Sequence, residues 1–127
     1  MVHEWTFLGW VALADLAKYS RRGSPWEALE RLHQARTYVW RLWAVVQDVD
    51  YPAFGLTGVL DDPDAGLPAG LDETVSALDV ADIRRAAFAA AALLDITSSA
   101  AASRVGAEAL TALAAYMRGR LEALMGA

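Results

Sequence analysis

Arg21-Arg22-Gly23-Ser24-Pro25-Trp26-Glu27 is the stretch on which the fold turns. Glycine is the residue that most readily takes the left-handed conformation ending a helix, and Lys18, Arg21 and Arg22 just before it are cations where a helix dipole favours them. Ser24 then stands as an N-cap, Pro25 occupies the first helical position, and Glu27 completes a capping box three residues after the serine. One helix therefore stops and another starts within a few residues. Upstream, Trp5, Leu8, Ala12, Leu16 and Tyr19 recur at three- and four-residue spacing, which predicts a helix over residues 3 to 22. Downstream, Leu29, Leu32, Ala35, Val39, Leu42 and Val46 mark one side of a second helix ending near Gln47. So short a junction folds the two back on each other, giving an antiparallel hairpin over residues 3 to 47.

Beyond the hairpin, residues 48 to 70 hold all three remaining prolines and four glycines, so this segment is read as loop with a short helical turn over Phe54 to Leu60. Leu71 to Leu78 is a candidate for another short helix. Asp79 is the expected N-cap of a long helix over residues 80 to 95 that carries Ile83, Phe88, Leu93 and Leu94 among alanines. Thr97 and Ser98 are taken as the next break. A last helix is expected over residues 99 to 124, with Leu110, Leu113, Met117, Leu121 and Leu124 as its seam. Gly106 and Gly119 inside that helix would each cost about 1 kcal/mol against alanine unless another backbone approaches closely. No strand pattern and no repeat is present, so the expected fold is all-α, an antiparallel bundle of four to five helices in a single domain over residues 1 to 127.

Composition agrees with that reading and removes several functions. Alanine is the best helix former and keeps helices close, and the chain has 27 alanines. All five tryptophans lie between Trp5 and Trp43, so the first third is expected to organise the core. Net charge is −5 and the 11 cations are scattered among 16 acids, which argues against nucleic acid or an anionic membrane as partner. Uncharged runs such as Trp5 to Ala14 fall short of the roughly 18 residues of a spanning helix. The absence of cysteine excludes disulfides and thiolate metal sites, and a cytoplasmic location is the default.

Catalytic patterns are weak. Glu30-Arg31-Leu32-His33 matches the Glu-x-x-His of di-iron bundles, but a second copy is missing because His3 has no glutamate at that spacing. Asp61, Asp62, Asp64 and Glu73 fail as a calcium loop in either register, with Leu67 or Pro63 at positions that do not allow it. No nucleophile elbow and no Gly-x-Gly-x-x-Gly occurs, so no catalytic residue, metal ligand or cofactor is assigned. The more informative charges are Asp15, Lys18 and Arg36, each interrupting an apolar surface, with Glu27 beside the hairpin corner. Buried charges need partners. An Asp15–Arg36 pair across the hairpin is one explanation, and a polar pocket for a small-molecule ligand is the other. The first helix is also apolar nearly all round from Phe7 to Ala14, which asks for either a central position or a companion docked on it.

The runs His3-Glu4-Trp5-Thr6-Phe7, Asp15-Leu16-Ala17-Lys18-Tyr19, Arg22 to Leu29, Ala35-Arg36 and Tyr51-Pro52-Ala53-Phe54-Gly55-Leu56-Thr57, with Leu67-Pro68 and Gly70-Leu71, resemble the helical C-terminal region of bacterial nucleotidyltransferase-domain proteins. These are relatives of the kanamycin nucleotidyltransferase group, whose helical domain is similar to HEPN-type bundles. The resemblance implies a noncatalytic substrate-binding or docking domain beside a catalytic nucleotidyltransferase domain, or a homodimer partner engaged through the first helix. Asp15, Lys18, Glu27 and Arg36 are then candidates for the polarity of an acceptor pocket. It also implies that this chain is the C-terminal part of a longer protein or a free-standing relative, since Gly23-Ser24 and Asp48-Val49-Asp50, with a capping box and roughly six helical turns between them, do not form the Gly-Ser and Asp-x-Asp elements that a turn and a strand fix together in the catalytic domain. HEPN-type ribonuclease chemistry needs an arginine followed four to six residues later by histidine, and neither His3 nor His33 has one. The alternative is a self-contained helical interaction protein, such as one half of a toxin and antitoxin pair.

Overall fold

The computed structural model describes residues 1 to 126. Its elements are α1 (Val2–Arg21), α2 (Pro25–Val46), a 3-10 turn at Pro52–Phe54, α3 (Leu56–Asp61), a second 3-10 turn at Leu71–Thr74, α4 (Val80–Arg104) and α5 (Thr111–Met125). No strand occurs among the described residues, and the fold is an all-α bundle of five helices.

The hairpin forms where the sequence placed it. Gly23 has φ +70°, and the chain closes α1 with the Gly23 amide on the Ser20 carbonyl at 3.1 Å and the Ser24 amide on the Tyr19 carbonyl at 3.0 Å. This paired arrangement satisfies carbonyls that the end of a helix would leave open. The Ser24 hydroxyl donates to the Glu27 carboxylate at 2.8 Å instead of accepting a backbone amide, so the two side chains of the expected capping box bind each other.

A different boundary replaces the break expected at Thr97-Ser98. The helix begun at Asp79, whose side chain accepts the Asp82 amide at 3.0 Å, runs without interruption to Arg104. Thr97 and Ser98 are both buried, and Ser98 turns its hydroxyl back onto the Asp95 carbonyl at 3.1 Å. A hydroxyl so absorbed does not end a helix. Gly106 supplies the stop: it has φ +71°, with its amide on Ser103 and the Ala107 amide on Ala102, the same closure as at Gly23. Residues 99 to 104 thus belong to α4, and the last helix covers 111 to 125 rather than 99 to 124. The short helix expected over Leu71 to Leu78 shrinks to Leu71–Thr74, because Arg85 of α4 takes the carbonyls of Glu73 and Val75 at 3.0 and 2.9 Å.

α1 is the central helix, packed by α2, α4 and α5. Leu13 and Leu16 of α1, Leu32 and Leu42 of α2, Ile83 and Leu94 of α4 and Leu121 of α5 are fully buried in one core. The alanines of α4 let it come close, with Ala86, Ala87, Ala90 and Ala101 all buried. Polar ties fix the ends: Arg84 donates to the Ser20 hydroxyl, Arg104 pairs with Asp48 at 3.3 Å, and His3 Nε2 lies 2.7 Å from the Glu108 carbonyl. Together these ties put the end of α1, the start of α2, the start of α4 and the end of α5 at one pole of the bundle. Trp5, Trp10 and Trp40 join the core, but Trp26 is 71% exposed, so the tryptophans organise it only in part. α4 is long and apolar enough to cross a bilayer, and 56% of that apolar window is buried inside the bundle.

Candidate functional site

Two concavities divide the polar residues between them, and the pairing of Asp15 with Arg36 does not occur. His33, Arg36, Thr37, Trp40 and Arg41 recur at i, i+3, i+4, i+7 and i+8 on α2, so helical geometry lines them along one face. The segment Ala53-Phe54-Gly55-Leu56 crosses in front of that face and closes a cavity of about 250 Å³. Gly55 makes the crossing possible. Its φ of +53° belongs to glycine, and a Cβ there would lie 3.2 Å from Arg41 Cγ and 3.4 Å from the Arg41 amide nitrogen. Tyr51, the residue just before the Pro52–Phe54 turn, is held at φ +56°, a conformation that costs a non-glycine residue about 1 to 2 kcal/mol.

Arg36 is the anchored cation of this cavity. Its Nε donates to the Thr74 hydroxyl at 2.9 Å, Nη2 donates to the Thr74 carbonyl, and Nη1 meets His33 Nδ1 at 2.9 Å. A guanidinium can only donate, so His33 Nδ1 accepts there and the ring carries its proton on Nε2. Thr74 is itself fully buried, and its hydroxyl donates to the Leu71 carbonyl at 2.7 Å. Every partner of Arg36 is neutral. Burial pushes its guanidinium below the usual arginine value, and it still carries its charge, because arginine in proteins stays protonated. Arg41, the second cation, stacks 5.8 Å from the Trp5 ring and 5.3 Å from the Tyr38 ring. Among the described residues no carboxylate forms an ion pair with either arginine.

Asp15 and Lys18 lie elsewhere. With Ala14 and Arg21 of α1, Arg22 just past its end, and Arg120 and Leu124 of α5 they line an open groove of about 570 Å³ at the pole where α1 and α5 end. Glu27 is exposed and engaged with Ser24. The four sequence candidates therefore split, with Asp15 and Lys18 in one place, Arg36 in another and Glu27 in neither. His33, Trp40, Arg41 and Phe54 join Arg36 in this cavity, and the spacing on α2 carries the signal for the first three. The arm that brings Phe54 and Gly55 over them leaves no such trace.

Other candidates have structural roles. Asp62 accepts the Asp64 amide at 2.9 Å in a local turn, and no group of three or more His, Asp or Glu able to hold a metal ion occurs among the described residues. The apolar excess of α1 is largely consumed by its neighbours: Trp10 and Leu13 are buried, Leu8 and Val11 half-buried, and Phe7 stays 46% exposed. Comparison of the chain with family models, with curated proteins and with solved structures finds no match.

Proposed function

We propose that this chain is a noncatalytic helical binding domain whose α2 cavity holds the anionic end of a small, partly flat ligand. Its role would resemble that of the acceptor-binding or docking domain beside a nucleotidyltransferase catalytic domain, working in the cytoplasm. One observation carries the reading: two arginines, Arg36 half-buried and fixed by Thr74 and His33, and Arg41, line a cavity that has no carboxylate in its lining. Leaving a desolvated cation without a counter-charge is costly, and an entering carboxylate or phosphate removes that cost. Phe54 on the wall offers a face to a planar ligand. The cavity is small against the usual ~300 to 1,000 Å³ of ligand sites, so it fits the end of a ligand rather than the whole of a large one.

Calorimetric titration with benzoate, and with benzamide as its neutral match, tests the binding. Benzoate is expected to saturate and benzamide not to, and Arg41→Met is expected to weaken benzoate about tenfold, the loss of roughly one charge-assisted contact. Equal behaviour of the two probes would end the proposal. The nucleotidyltransferase part is tested in the genome: a fused or adjacent reading frame with Gly-Ser and Asp-x-Asp on a turn and strand is expected, and a complete operon without one removes that partner.

A second reading, a self-contained interaction protein, draws on Tyr51, Phe54 and Leu60, which are 75%, 69% and 60% exposed on one surface segment. Light scattering separates the readings. A tight homodimer in which Phe54→Ser restores the monomer, with no benzoate binding, favours the second.

A further inference from the structure

The α1–α5 groove is independent of the α2 cavity and has its own charge balance. Lys18 and Arg21 approach from α1, Arg22 from just past its end and Arg120 from α5, around a floor of Ala14 and Leu124, with Asp15 the one acid in the lining. Both helices end here, at Arg21 and Met125, and each C-terminus contributes roughly half a negative charge. Four cations thus face one carboxylate and two helix ends, which leaves an excess of about two positive charges. No ion pair in the described residues involves any of the four cations. Such an excess on a chain of net charge −5 is a local arrangement, not a consequence of composition.

Lys18 Nζ sits 5.1 Å from the centre of the Tyr19 ring, and Arg22 sits 5.9 Å from it on the same residue. Arg31 of α2 joins them at 5.7 Å, which adds positive potential at the corner without entering the groove. A groove of about 570 Å³ falls within the size range of small-molecule sites, and its floor is apolar.

We propose that this groove binds a small phosphate monoester: a dianion matched to the excess of two, with an apolar group lying on Ala14 and Leu124. A monoester presents oxygens that guanidinium and ammonium groups can share from two helices at once. The concavity favours a molecule that enters over a flat membrane surface.

Amide chemical shifts of the full chain test this during titration with phenyl phosphate, with methyl phenyl phosphate as the singly charged diester. Saturable shifts at residues 14 to 22 and 119 to 125, separate from any at the α2 cavity residues 33 to 41, are expected for the monoester, with affinity on the order of millimolar and at least about tenfold tighter than for the diester. Arg120→Met is expected to weaken the monoester about tenfold and to leave the α2 cavity's response to benzoate unchanged. Lys18→Met, on the other helix, is expected to do the same, so a folding defect in one variant does not decide the result. Equal affinity for monoester and diester would overturn the charge match. Shifts that stay linear to about 10 mM, or binding to phosphatidate vesicles tighter than to phenyl phosphate, would overturn the site itself. A failure here leaves the benzoate experiment standing, and the reverse also holds.

Discussion

Gly9→Ala measures how closely α1 and α4 approach. A methyl group on Gly9 would lie 3.0 Å from both terminal methyls of Leu94 and 3.5 Å from Tyr38 Cβ. Leu94 is fully buried, so its methyls can yield only by displacing packed neighbours. Two effects oppose each other. Alanine gains about 1 kcal/mol over glycine inside a helix, and overpacking a core costs about 1 to 3 kcal/mol. The net expectation is a loss of about 0 to 2 kcal/mol. Leu94→Ala alone should cost about 2 to 5 kcal/mol and leave a cavity. In that background the Gly9 methyl meets no obstruction from residue 94, and Gly9→Ala should become stabilising by about 1 kcal/mol. Urea denaturation of the four proteins in this cycle should therefore show a coupling of about 1 to 3 kcal/mol. In thermal melts of a 127-residue chain each kcal/mol corresponds to roughly 4 °C. Additive effects, or a Gly9→Ala that stabilises the wild type as much as it does Leu94→Ala, would refute the close contact.

Two glycines with open space around them should respond in opposite directions. Gly119→Ala, in the interior of α5 with nothing within 4 Å of the new Cβ, is expected to stabilise by about 0.5 to 1 kcal/mol in chemical denaturation. Gly106→Ala, equally uncrowded but at φ +71°, is expected to destabilise by about 1 kcal/mol. The carboxyl of Asp82 is held below the usual range, first by the Arg85 guanidinium at 2.8 Å and then by the Ala77 amide. A depressed carboxylate contributes stability that is complete above its unfolded value and fades as pH falls through the folded one. The advantage of wild type over Asp82→Asn should therefore be present at neutral pH and shrink below about pH 4, as urea midpoints at the two pH values will report.

Local signals made the hairpin readable, since a glycine, a cap and a proline fall together at residues 23 to 25 and the apolar spacing on either side is regular. The C-terminal half was misread for an equally physical reason. Thr97 and Ser98 have the composition of a break, yet both are buried and Ser98 turns its hydroxyl back onto the Asp95 carbonyl, so the helix passes through them. Gly106 carried the true stop, but alanines on both sides disguised a left-handed cap as a helix-interior glycine. For the site, helical periodicity gathers His33, Arg36 and Arg41, whereas Arg36's real partner, Thr74, lies 38 residues away across a loop with no periodicity. The cost of a buried charge alone points Arg36 toward Asp15. A neutral threonine backbone and hydroxyl supplied the hydrogen bonds and left the charge for something else.

The side-chain Nε–H signal of Arg36 gives the most direct test of an anchored arginine awaiting an anion. Hydrogen-bonded to Thr74, it should remain visible at neutral pH, in contrast to the rapidly exchanging exposed arginines, and should shift to a limiting value as benzoate is added. An Arg36 signal that exchanges as fast as the others, or one that benzoate leaves unmoved at saturating concentration, would contradict the account.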